Sequence, residues 1–248
     1  MQPVFEFTKG MIPIEMSYCP GCTHGISHRL IMEVLEDMER LGSTIGVGPI
    51  GCSVLAHKYM NVDMLEAAHG RAPAVASGIK RVHPDNLVFT YQGDGDLASI
   101  GTAEIIHAAA RGEKFTAFFI NNAIYGMTGG QMAPTTLLGQ RSTTTQSGRT
   151  LEQAGMPMRV SELISTLDGA VYVERVALNS PANIGKAKKA VKRAFEVQEK
   201  KLGFSFVEFI STCPTNWGVS PTDAIAFLNE KMLPYYPPGV FSSPEGGL

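Results

Sequence analysis

Five short runs of mostly apolar, β-favouring residues recur along the chain. They are "STIGVG" (43–48), "LVFTYQG" (87–93), "FTAFFIN" (115–121), "AVYVERVAL" (170–178) and "FSFVEFI" (204–210). Their apolar positions run on rather than alternate, as in strands buried on both faces. Between them lie stretches with helical spacing: 23–41, 70–82, 97–112 and 180–203. The last opens on Ser180-Pro181, a cap followed by a first-turn proline, and the pattern predicts its end at Gly203. Short buried strands alternating with helices predict an α/β fold, a mostly parallel sheet with helices on both faces.

Two segments break the rhythm. Residues 126–158 are rich in Gly, Thr, Pro and Gln, lack any period, and are too long for an ordinary connection. Loops of that length are functional or disordered. The end of the chain, 234–248, reads as a Pro/Gly tail that packs along a neighbouring element or is mobile. No internal repeat is visible, so residues 1–248 read as a single domain.

Composition narrows the function. The chain has 248 residues, 44% of them hydrophobic, with formal net charge −2. The near-neutral balance gives no electrostatic footprint for nucleic acid or an anionic membrane. The basic run 186–201 fits a solvated helix face, with a docking surface as the other reading. "MQPVFEFTKG" lacks the features of a secretory signal, and no apolar run could span a bilayer. A soluble, cytoplasmic protein is expected. Four cysteines in such a chain are no disulfide scaffold, and a C-x-x-C in a reducing compartment points to metal or redox chemistry.

The sharpest motif follows the second strand. "LVFTYQGDGDLASIG" sets Gly93-Asp94-Gly95-Asp96 at a strand end opening onto a helix. In open α/β sheets ligands bind there, and glycines let backbone N–H groups approach an anion. Two aspartates would repel a bare phosphate, unless a divalent cation lies between them. Mg²⁺ takes oxygen ligands, usually one or two carboxylates plus substrate phosphates. Twenty-five residues on, Asn121-Asn122 ends the next strand and offers a further oxygen. Singly, Asp94 could be a helix cap and the Asn pair a turn; jointly, the halves favour a ligand site.

The cysteines fall in "YCPGCTHG" (Cys19, Cys22), "GPIGCSV" (Cys52) and "STCPTNWG" (Cys213), all Gly/Pro-rich loops. Spacing alone leaves zinc, an iron–sulfur cluster and ordinary buried thiols open. His24 and His28, one turn apart after C-x-x-C, are read as structural, and His57, His83 and His107 carry no signal.

Gly93–Gly95 and Asn121-Asn122 resemble the thiamine diphosphate-binding motif. The ordered series "YCPGC", "GPIGCS", "AHGRAPAVASGIK", "GDGD", "NNAIYGMTGGQ" and "CPTNW" resembles the β subunit of 2-oxoacid:ferredoxin oxidoreductases, from about Ser17 to Trp217. The resemblance implies a thiamine diphosphate-binding fold of the diphosphate-domain type. It implies Mg²⁺ held by Asp94, Asn122 and the Ile124 carbonyl, with Gly93, Gly95, Asp96, Tyr125 and Gly126 around the cofactor. It assigns Cys19, Cys22, Cys52 and Cys213 to a 4Fe–4S cluster. The implied reaction is oxidative decarboxylation of a 2-oxoacid with CoA, reducing ferredoxin. The implied partners are an α subunit carrying the activating glutamate, γ and ferredoxin-like δ subunits, and ferredoxin.

Near the reacting centre the same resemblance points to His69, Arg71, Met127 and Thr128. His69 could equally be a core histidine, and Met127 a filler of apolar space. An apolar residue at 127, where pyruvate-type relatives carry Asn, favours a branched-chain 2-oxoacid such as 2-oxoisovalerate. A dicarboxylate such as 2-oxoglutarate would want a cation, and only His57 and Lys58 are in prospect. Two other classes remain: a non-redox thiamine diphosphate enzyme component with structural zinc, and a purely structural zinc-binding subunit.

Overall fold

A computed structural model of the chain describes residues 6–244. Seven strands form one sheet: β1 (Thr44–Gly48), β2 (Asp63–Glu66), β3 (Leu87–Gly93), β4 (Thr116–Asn121), β5 (Ala170–Ala177), β6 (Phe204–Ile210) and β7 (Gly239–Ser242). Their order is β2-β1-β3-β4-β6-β5-β7, and only β7 is antiparallel to its neighbour. The helices used below are α1 (His24–Asp37), α2 (Ala56–Tyr59), α3 (Ala72–Val82), α4 (Thr102–Ala110), α5 (Leu151–Ala154), α6 (Val160–Ser165), α7 (Pro181–Glu199), α8 (Pro214–Trp217) and α9 (Pro221–Phe227). Among the described residues no helix is long and apolar enough to cross a membrane.

All five expected strands form. The two that the apolar runs did not reveal, β2 and β7, are the sheet edges: short, partly exposed, and so without a continuous apolar signature.

Inside the sheet, continuous apolar sequence resolves into a period of two. Phe89, Tyr91, Phe118, Ile120, Val207 and Phe209 face α1 and α7. Val88, Ala117, Phe119 and Phe206 join the core that includes Ala72, Ala76, Ile105 and Ile164 on the other face. Both faces are therefore covered, as the sequence pattern predicts.

Helix α7 begins where expected, with Ser180 Oγ accepting from Asn183 N. It ends at Glu199, four residues before the predicted Gly203. Lys201, at φ 55°, takes the left-handed position, and Leu202 N returns to Val197 O at 3.1 Å while Lys201 N returns to Gln198 O at 3.0 Å. This pair of bonds satisfies the last carbonyls, so the stop needs no glycine.

The end of the chain takes the first of its two expected alternatives and packs along a neighbouring element. Within 234–244, Tyr236 is wholly buried and Gly239–Ser242 adds a strand to β5; the rest of the expected tail lies outside the described residues. A buried hydrogen bond, from Tyr236 OH to Thr135 O at 2.6 Å, and the sheet edge hold this Pro/Gly-rich stretch.

The 126–158 segment is ordered, and one side chain accounts for much of that. Arg149 is 5% exposed. Its Nε donates to Gly155 O, one terminal nitrogen to Ala133, Pro134 and Thr136 carbonyls, and the other to Ala154 and Met156 carbonyls, at 2.8–3.1 Å. A fixed guanidinium fork thus gathers two stretches of loop backbone that have no sheet or long helix to satisfy them.

The topology places the site. β1, β3, β4 and β6 are consecutive neighbours and parallel, so the loops leaving their carboxyl ends emerge side by side. Those loops carry Cys52, Asp94, Asn122 and Cys213.

Candidate cofactor and thiolate site

Asp94 is 4% exposed at the end of β3. Its Oδ2 accepts from Ile124 N at 3.0 Å and Thr135 Oγ1 at 2.8 Å, and its Oδ1 from Gly95 N at 2.9 Å. Burial outweighs these donors and pushes the carboxyl up to about 7. A buried carboxylate in this position is short of positive charge.

The Asn122 amide ends 2.7 Å from Ile124 O and 3.2 Å from Asp94 Oδ2. With its NH₂ there it donates to both. With its oxygen there, three oxygens crowd together and only a cation reconciles them. Those separations bracket the edge of about 2.9 Å expected for an octahedron of oxygens around Mg²⁺. The donor set therefore fits the ion, which Asp94, Asn122 and the Ile124 carbonyl could hold. Ala123 makes the convergence possible: its left-handed φ of 57° turns Ile124 N back towards Asp94. Tyr125 lies against Gly95, where an added Cβ would sit 3.0 Å from the ring.

The second aspartate of the pair has a different task. Asp96 Oδ1 accepts from Gly70 N at 2.6 Å and meets His69 Nδ1 at 2.5 Å, while Gln92 Nε2 donates to Oδ2 at 2.6 Å. Its pKa is raised by burial. A wide π-type turn follows, with Gly101 N bonded to Asp96 O at 2.9 Å. Gly70 is packed so tightly on Gly101 that any Cβ would meet backbone at 2.7 Å. This close approach brings His69 to Asp96. The acidic pair is thus divided: Asp94 faces Asn122 and Ile124, and Asp96 orients His69 at the wall of the cleft.

The four cysteines are free and their loops are tied together. Cys22 N closes a turn on Cys19 O at 3.0 Å. Tyr18 OH donates to Cys52 O at 3.0 Å, and Thr212 Oγ1 to Gly21 O at 2.6 Å. Asn216 Nδ2 donates to Gly126 O at 2.9 Å and reaches Cys213 Sγ at 3.2 Å. A Cβ on Gly126 would lie 3.2 Å from Cys52 Sγ and 3.7 Å from Cys213 Sγ. The loop that follows the Asn pair therefore runs beside two of the thiols.

Burial, and charge on the other cysteines, push Cys22 up to about 12 and Cys52 up to about 11; burial also raises Cys213. Four thiolates here require a cationic centre. Among the described residues no three His, Cys, Asp or Glu side chains converge closely enough for a single metal ion.

A cleft joins these features, lined by Ile50, Cys52, Ser53, His69, Asp94, Asn122, Met127 and Thr128, with His24 at its base. Ser53 Oγ is buried without a partner. His24 Nδ1 is 2.6 Å from Tyr91 OH, Tyr18 stacks on its ring, and burial depresses it to about 4. His28 is likewise buried and held well below its usual pKa. Both histidines stand within an aromatic cluster. Arg71 does not line the cleft: it pairs with Glu104 and reaches Ile100 O. His57 turns onto Val54 O, and neither it nor Lys58 lines the cleft.

Sequence reasoning missed Thr135, Thr136, Gln140 and Trp217. Trp217 Nε1 donates to Asn122 O at 3.0 Å. Thr135, Thr136 and Gln140 lie in a polar loop with no period to read, and Trp217, though within "CPTNW", carries no sign of which carbonyl its indole reaches.

The family profile described as thiamine pyrophosphate enzyme, C-terminal TPP-binding domain, matches residues 49–209. That sets the class: a thiamine diphosphate-binding domain, built around the cleft just described. Ketoisovalerate oxidoreductase subunit VorA of Methanothermobacter marburgensis is 47% identical over 237 residues, 96% of this chain and 50% of VorA. 2-Oxoglutarate synthase subunit KorB of Methanocaldococcus jannaschii is 36% identical over 225 residues, 87% of this chain and 78% of KorB. On these similarities the chain belongs to the thiamine diphosphate-binding subunits of the 2-oxoacid oxidoreductases. It spans about half the length of the VorA relatives it matches. The solved 2-oxoglutarate:ferredoxin oxidoreductase from Magnetococcus marinus, with 2-oxoglutarate, coenzyme A and succinyl-CoA bound, shares the fold. Its TM-score is 0.80 at 24% identity, over 98% of this chain and 86% of that one.

Proposed function

We propose that this chain is the cofactor-carrying subunit of a cytoplasmic 2-oxoacid:ferredoxin oxidoreductase that makes an acyl-CoA and CO₂ from a branched-chain 2-oxoacid. The observation that carries this reading is the closeness of two sites lining one cleft. The oxygen cage of Asp94, Asn122 and Ile124 and the four-cysteine group meet at Gly126. Bound thiamine diphosphate would supply a carbanion-stabilising thiazolium, and a 4Fe–4S cluster would take up electrons singly.

The chain's own residues would do the rest. Asp94, Asn122 and the Ile124 carbonyl would hold Mg²⁺, and the backbone of Gly93–Gly95 would leave room for the cofactor's diphosphate. Asp96 fixes the His69 ring by its Nδ1, leaving Nε2 to exchange a proton with substrate. Met127, 47% exposed at the cleft mouth, and Ile50 meet the substrate side chain. A separate α subunit brings the activating glutamate, with γ and δ subunits and ferredoxin completing the electron path.

The lining of the cleft supports the branched-chain choice. Among the described residues it contains no Lys or Arg to pair a second carboxylate. The likeness to VorA, named for ketoisovalerate, points the same way. The likeness to KorB keeps 2-oxoglutarate as the second reading.

The test is metal and sulfide analysis of the complex purified without oxygen, followed by kcat/KM for 2-oxoisovalerate and 2-oxoglutarate. About four irons and four sulfides for this chain are expected from a Cys₄-ligated cluster. Zinc, or a folded sample without metal, overturns the redox reading. A preference for 2-oxoglutarate overturns only the substrate.

A further inference from the structure

Ala123, between the Asn pair and Ile124, stands at φ 57° without being a glycine. Left-handed backbone is disfavoured for a residue with a Cβ and persists where surroundings enforce it. Here the enforcement is visible. The Ala123 carbonyl accepts from Thr136 Oγ1 at 2.7 Å and from Gln140 Nε2 at 3.0 Å. Thr136 is wholly buried and Gln140 is 8% exposed.

Both donors are themselves held. Thr136 Oγ1 accepts from Ala133 N at 2.9 Å, Gln140 Oε1 from Leu137 N at 3.0 Å, and Arg149 grips the Thr136 carbonyl at 3.0 Å. One residue earlier, Trp217 occupies the Asn122 carbonyl. With the carbonyls of 122 and 123 taken by protein donors, that of 124 is left beside the Asn122 amide and Asp94.

We propose that Thr136 and Gln140 are positioning residues for the divalent cation. By holding the Ala123 carbonyl they keep residue 123 left-handed, and so keep the oxygens of Asp94, Asn122 and Ile124 converged before the cation arrives. The inference rests on reading that cage as the Mg²⁺ site for thiamine diphosphate. It goes further in giving the cage's shape to two residues outside the motif.

The test is calorimetric titration of thiamine diphosphate into the purified complex at a series of Mg²⁺ concentrations. Thr136→Val and Gln140→Met each remove the donor with little change in volume. Each is expected to raise the Mg²⁺ needed for half-saturation by about 10- to 100-fold, the usual effect of losing a partner that orients a metal ligand. Full loading at high Mg²⁺ should persist, and Thr136→Ser should behave as wild type.

Adding Ala123→Gly to either variant should recover most of the loss, because glycine takes the left-handed turn unaided. General damage to the loop would not respond to that change. Unshifted half-saturation in both variants, or no recovery with Ala123→Gly, overturns the proposal. If Thr136→Val does not fold, Gln140→Met with and without Ala123→Gly decides. Wild-type binding that ignores Mg²⁺ would instead remove the cation site itself, and this inference with it.

Discussion

Phe118 in β4 and Arg149 in the 126–158 loop are both shut away from water, yet they hold their surroundings by opposite means. Phe118 packs on Phe89, Phe195 and Phe209 with ring centroids 5.4–5.9 Å apart. It is one of many apolar groups sharing a non-directional load. Arg149 is a single charge whose five donors serve six backbone carbonyls. Strand backbone satisfies itself in the ladder, so its side chains are free to be apolar. Loop backbone has no ladder, so a side chain must take over that work. The sheet is therefore redundant and the loop is not, although the loop shapes the cation cage.

The contrast breaks most sharply at Arg149. Arg149→Ala removes a donor from six carbonyls; those of Ala133 and Pro134 keep a backbone N–H from Thr136 and Met158, and each of the others left buried and unpaired costs about 1–3 kcal/mol. The loop is expected to open instead. Hydrogen exchange should then accelerate across 126–158 while the β3 and β4 amides keep their protection, and cofactor binding should be lost. Protection lost equally in strands and loop would show that the two regions are not separate.

Phe118→Ala is the complementary change. It should lower stability by about 3–5 kcal/mol in denaturant unfolding, as for other buried aromatics. The Mg²⁺ dependence of cofactor binding should remain, because the cage is held by polar contacts that Phe118 does not make.

The third change sharpens the comparison through pH. The Asp94 carboxyl is raised to about 7 by burial, well above its value in an unfolded chain. Its contribution is thus complete below about pH 4 and is lost as pH rises through about 7. In cation-free protein, Asp94→Asn should remove that fall in stability between pH 4 and 7, measured by thermal unfolding. Mg²⁺ with thiamine diphosphate should raise the melting temperature of the wild type at neutral pH and leave the variant unmoved.

The smallest effect belongs to the surface. Lys188 bridges Glu33 and Asp37 between α7 and α1 at 3.1 and 3.0 Å, with Asp37 60% exposed. Lys188→Ala should cost less than about 1 kcal/mol and fade further in salt.

These contrasts match what could be read along the chain. β3, β4 and β6 were legible because burial on both faces demands apolar residues in sequence, and β2 and β7 were not because edge strands escape that demand. Asp94, Asn122 and the cysteines were legible because the proposed ligands need particular atoms at strand ends. Asp96 was visible as an acid but not as the partner of His69, which lies 27 positions away and meets it only where Gly70 packs on Gly101. Arg71, to which the resemblance pointed, pairs with Glu104, a partner 33 positions away that no local pattern could show.

By itself, then, the sequence determined the elements whose chemistry is local: buried strands, capped helices, a carboxylate and an amide at neighbouring strand ends, and four thiols in turns. Only the tertiary structure decided that four parallel strand ends stand side by side, that Thr136 and Gln140 grip Ala123, and that Gly126 lies beside Cys52 and Cys213. The reason is that hydrophobic periodicity is written in adjacent residues. A hydrogen bond between a loop side chain and a distant carbonyl has no period, and exists only once the backbone has been brought to it.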